Sequence, residues 1–118
     1  MTTTTIDLSA DTILNLTLRA GCGGTIRVTI TSGATDISGA AIHYYANANK
    51  TISKTVGNGI TITEALVFEI AFTAADTSEQ NTTQKRQHEC RIQLPGEQPA
   101  MVFEGLLIIE EALTTEMS

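Results

Sequence analysis

His88 and Cys90 stand two residues apart in "RQHECRIQL" (86–94) and are the first candidates for chemistry. Side chains at i and i+2 of a strand leave the same face, so an imidazole and a thiol would lie side by side. Such a pair could supply two of the four ligands of a zinc site, or a thiol nucleophile beside a base. The chain's other His and Cys, His43 and Cys22, do not form a second pair at a matching spacing. A nucleophilic thiol also needs a thiolate-stabilising environment and an orienting third group, and the flanking residues offer neither. The roles expected from sequence are a hydrogen-bonded, half-buried histidine next to a cysteine packed as a small hydrophobe. Cys22 and Cys90 are expected to be unbridged.

Other constellations are weaker. "GCGGT" (21–25) looks like a phosphate loop, but Ile26 stands where the third glycine would be needed. The residues after it alternate like a strand, whereas a phosphate cradle opens a helix. Glu110 and Glu111 are adjacent on an expected strand and so point to opposite faces. Lys85, Arg86 and Arg91 form the one small basic group, read as a solvated strand edge. Sequons at Asn15, Asn49 and Asn81 are what a threonine-rich chain produces by chance. No residue is assigned as catalytic, cofactor-binding or metal-binding, and the chain is not expected to be an enzyme.

The elements that must position these side chains are strands. In "TILNLTLRA" (12–20), Leu14, Leu16 and Leu18 alternate with Asn15, Thr17 and Arg19. "TIRVTIT" (25–31), "AAIHYYAN" (40–47), "ITIT" (60–63), "ALVFEIAF" (65–72) and "RQHECRIQL" repeat the period of two that marks half-buried strands. "KTISKTV" (50–56) is expected at a sheet edge, where lysines discourage further pairing, and "GNG" (57–59) is a tight-turn signal. Thr73 and Asp76 can close one helical turn. "PGEQP" (95–99) reads as a hairpin loop before the last strand, in which Gly105 marks a bulge or a close backbone approach. Seven to eight short strands and almost no helix predict an all-β fold, a single antiparallel immunoglobulin-like β-sandwich. It occupies residues 1–118, with a short N-terminal arm at about 1–5 and a tail at about 113–118.

Composition sets the bounds. A chain of 118 residues fits one domain. Only 4% of residues are aromatic, so the core must be mainly aliphatic. The net charge of −6 and pI near 4.7 argue against a nucleic-acid partner, which calls for clustered Lys and Arg. No apolar run approaches the roughly 20 residues of a membrane helix. "MTTTTIDLSAD" lacks the basic and apolar regions of a secretory signal, so folding in a cytoplasm is expected.

The order of landmarks carries further information. "GGTIRVTIT" enters a strand, "TDISGAAIHYYANANK" (35–50) turns abruptly from polar to apolar, and "VFEIAFTAADTSEQ" and "HECRIQLPGEQPAMVFEGLLII" follow. This succession resembles a small β-sandwich domain of bacteriophage virion proteins, similar to the N-terminal domain of baseplate upper proteins and related tail and fibre attachment modules. It covers residues 20–110. Gly24 stands where the family commonly has Asp, and His88 and Cys90 stand where aromatics are common. The resemblance implies a non-enzymatic virion structural protein, assembled in the host cytoplasm, that acts as an adaptor of tail or baseplate. Its partners would be other virion proteins, with self-association in a symmetric assembly, and neither nucleic acid nor membrane. Capsid decoration is the alternative, and a carbohydrate-binding module a more distant one. Asp36-Ile37-Ser38-Gly39 is then a structural corner and not a site.

Overall fold

A computed structural model describes residues 2–9, 12–19, 22–46, 52–77 and 84–110. Its strands are β1 (Thr2–Asp7), β2 (Leu16–Arg19), β3 (Gly24–Ser32), β4 (Ala41–Ala46), β5 (Ile52–Val56), β6 (Gly59–Glu64), β7 (Val67–Phe72), β8 (Gln84–Gln93) and β9 (Ala100–Glu110), with one helical turn, α1 (Ala74–Thr77), between β7 and β8. All nine strands join one sheet in the order β1-β3-β7-β6-β5-β4-β8-β9-β2. The sheet curls into a half-barrel, and its inner face holds the core.

The all-β prediction stands, but the antiparallel immunoglobulin-like sandwich is corrected to a curled mixed sheet. β1 pairs with β3, β2 with β9 and β5 with β6 in parallel, and the remaining ladders are antiparallel. The physical reason is that a period of two reveals which face is buried, not which strand lies alongside. A sheet curled on itself has the same inward and outward alternation as two packed sheets.

The N-terminal arm is corrected too. Thr2 to Ile6 pair residue by residue with Ile26 to Ile30, and Ile6 is fully buried. Threonine fits a pleated edge well, so a segment with one apolar anchor suffices for a strand. The segment 113–118 lies outside the described residues. Residues 52–56 are not an edge strand either. β5 sits between β6 and β4, and Lys54 is drawn inward by an ion pair with Asp76 at 2.9 Å. The stem of Lys54 crosses Gly59, where a Cβ would meet it at 2.5 Å, and Gly59 has φ +95°. Glycine is required there on both counts.

Other expectations hold locally. Ile42, Tyr44 and Ala46 of β4 are buried while Ala41, His43 and Tyr45 are exposed. The Asp76 carboxylate accepts the Thr73 N–H at 2.7 Å and closes α1. Burial raises the pKa of Asp76, but Lys54 and the Thr73 N–H outweigh it and hold the group below its ordinary value. At the corner, Asp36 accepts the Ser38 N–H at 2.8 Å, Ile37 is fully buried, and the Ala40 N–H closes a turn onto the Ile37 carbonyl. Isoleucine dominates the core, as the low aromatic content requires.

Candidate interaction surface

The two faces of β4, β8 and β9 divide the polar residues between them. On the inner face, Tyr44 meets Phe72 edge-on at 5.2 Å and His88 at 5.5 Å, and Phe103 closes the cluster. His88 is 3% exposed. Its Nε2 lies 2.7 Å from the Leu14 carbonyl and its Nδ1 lies 2.8 Å from the Tyr44 hydroxyl. A carbonyl only accepts, so Nε2 carries the proton and Nδ1 accepts from the tyrosine. Burial lowers the pKa of His88 and so keeps the ring neutral, although the bond to Leu14 opposes the shift.

Cys90 is fully buried beside this cluster, and burial pushes its thiol far above the ordinary value. The sequence candidates His88 and Cys90 therefore share a face as expected. Both ring nitrogens of His88 are engaged in the fold, and the thiol is held protonated. Cys22 is exposed, and neither it nor Cys90 is in a disulfide. The basic group divides, because Lys85 and Arg91 are exposed while Arg86 is half-buried on the alternate face of β8. Among the described residues no group of three or more His, Cys, Asp or Glu could hold a metal ion. Glu111 lies outside the described residues.

The outer face carries an open groove of about 750 Å³. Its apolar residues are Ile13, Tyr45 and Leu106, which are 67%, 39% and 37% exposed. Among the described residues, only Val56 joins them as an exposed large hydrophobic side chain. Concentration of such residues in one concavity marks an interaction surface far better than the same residues scattered. Glu89 and Glu104 complete the groove and face each other across the β8–β9 ladder.

The groove is built by its inner neighbours. The segment before β2 lies along β9, with Leu14 N–H donating to the Glu104 carbonyl and Glu104 N–H to the Thr12 carbonyl. Asn15 Oδ1 accepts the Leu106 N–H at 3.0 Å. This approach requires Gly105, where a Cβ would stand 2.3 Å from the Leu14 carbonyl oxygen. His88 holds the same carbonyl from beneath, so Ile13 is fixed as one wall between two anchored neighbours. On the opposite wall, His43 bonds the Ser53 hydroxyl at 2.9 Å and meets the Tyr45 ring edge-on at 6.3 Å.

Sequence reasoning placed Tyr45 within the alternating strand at 40–47 and marked Gly105 as a bulge or a close backbone approach. It missed the groove. The available signal was Ile13, an apolar residue in the polar phase of the Leu14–Leu16–Leu18 alternation.

Comparison with solved structures places this architecture. The N-terminal domain of phage TP901-1 ORF48 superposes with a TM-score of 0.57 over 92% of this chain and 97% of that one, at 12% identity. The two share a fold. A protein named as a glycoside hydrolase, from Bacteroides vulgatus, overlaps more loosely, with a TM-score of 0.47, 10% identity, and coverage of 82% of this chain but 16% of that one. A fit that loose carries no functional argument. No family model and no curated protein matches the sequence.

Proposed function

We propose that this domain is a non-enzymatic structural module of a phage virion, an adaptor of the tail or baseplate that works through protein–protein contacts. The observation that supports this reading most is the end-to-end correspondence with the TP901-1 ORF48 N-terminal domain, which leaves almost no part of either chain over. The groove agrees with it. Its apolar side chains are solvent-facing and held by the backbone on both sides, which suits docking. The imidazole and thiol that could have done chemistry are turned into the core.

Fractionated particles from the phage that encodes the chain test the proposal. Mass spectrometry should find the protein in mature particles, at a stoichiometry matching tail or baseplate components and absent from tail-less heads. Recovery with heads alone would favour capsid decoration. Absence from particles altogether would refute a virion role.

A further inference from the structure

We propose that the outer groove receives an extended polypeptide segment of a different protein, one bearing lysine or arginine among apolar residues. The inference rests on the reading of this domain as a protein-docking module and names the partner's chemistry. Two carboxylates, Glu89 and Glu104, are direct partners across the antiparallel β8–β9 ladder, a placement in which like charges repel. Glu89 is partly relieved by Arg91 of its own strand at 3.4 Å, an exposed contact. Among the described residues no ion pair is formed by Glu104. A cationic side chain set between the two would relieve the repulsion.

Ile13 and Tyr45 lie on opposite walls of the same groove, with Leu106 beside Glu104 on β9. An occupant therefore needs apolar and basic groups close together, which alternate residues of an extended chain supply. A second copy does not fit. A two-fold interface would set the same patch against itself, bringing four carboxylates into one groove in a chain already at −6. A metal ion alone would find two carboxylates and no third group. Charge complementarity thus selects a basic, apolar segment of another chain.

The test uses the full chain, uniformly labelled with nitrogen-15, titrated in separate NMR experiments with four probes. These are a nine-residue peptide alternating lysine with leucine and tyrosine, the same peptide with glutamate for lysine, a linear glucose oligosaccharide, and calcium chloride. The lysine peptide should shift the amide signals of Ile13, Tyr45, Glu104 and Leu106 and leave β3 and β7 unmoved. Binding should weaken at raised salt. It should also fall on the order of tenfold in Glu104→Gln, as for loss of one charged contact. The double variant Glu89→Lys/Glu104→Lys should prefer the glutamate peptide, its amide spectrum elsewhere showing that it is folded.

Equal response to both peptides would overturn the proposal, as would a response centred elsewhere, a response to calcium or the oligosaccharide alone, or no response to any probe. A protein absent from particles would sink the virion reading without touching these titrations. A protein present in particles whose groove ignores the lysine peptide would sink the groove assignment alone.

Discussion

The inner and outer faces of β4, β8 and β9 use neighbouring residues for opposite ends. Tyr44 and Tyr45 are adjacent, yet Tyr44 is fully buried with its hydroxyl on His88, while Tyr45 forms one wall of an open groove. Cys90 packs against the core while Glu89, beside it, faces Glu104 across the ladder. On the inner face the polar atoms of Tyr44 and His88 are paired with each other and with the Leu14 carbonyl. The outer face keeps apolar area in solvent and like charges opposed. The fold does not require the second arrangement, which is why the outer groove is the proposed docking surface.

Substitutions should separate the faces, beginning with the core. Phe103→Ala removes a fully buried ring that packs on Tyr44 and His88 and should cost about 3–5 kcal/mol in denaturant unfolding. His88→Ala should cost about 1–3 kcal/mol for each group it strands, the Tyr44 hydroxyl and the Leu14 carbonyl. Because His88 anchors Leu14, this variant should also loosen Ile13, measurable as faster amide exchange in residues 12–15. A loss no larger than that of a surface variant would break the claim that the inner face is structural.

His88 also gives the fold an acid sensitivity of definite sign. Its pKa is lowered in the folded state from an ordinary 6.5. The unfolded chain therefore binds the proton more readily, and stability from this group is complete above pH 6.5. It declines as pH falls below 6.5 toward the depressed folded value. Unfolding midpoints measured across that window should fall toward acid, and His88→Ala should flatten that part of the profile. On the outer face, Glu104→Gln should raise stability slightly, by less than about 1 kcal/mol, since it removes one of two opposed charges. Marked destabilisation would show that Glu104 serves the fold.

The parts legible in sequence were those where local chemistry decides. Ile42, Tyr44 and Ala46 declare an inward face through alternation, Asp36 to Gly39 declare a corner, and Thr73 with Asp76 declare a helical turn. Pairing was not legible. Nothing in "TTTTI" states that it runs parallel beside β3, because backbone hydrogen bonds carry no side-chain signature. Lys54 reads as an edge lysine until Asp76, distant in sequence, arrives to pair it. The groove was hidden for a related reason. In "GLLII" (105–109) the apolar run is continuous, so the exposed Leu106 cannot be told from the buried Leu107, and Ile13 gains meaning only beside Tyr45 and Glu104.

The division between faces is tested most directly by one variant measured in two ways. Tyr45→Ser combined with Leu106→Ser strips the groove of two of its three apolar side chains while leaving the inner cluster intact. The unfolding free energy of the isolated protein should stay within about 0.5 kcal/mol for each substitution, as for exposed sites without structural roles. Occupancy of the same variant in purified particles, measured by quantitative mass spectrometry against an unchanged virion protein, should fall severalfold. Full occupancy would contradict the account, and so would a collapse of stability, which would make the outer face part of the core's support and not a surface kept for contact.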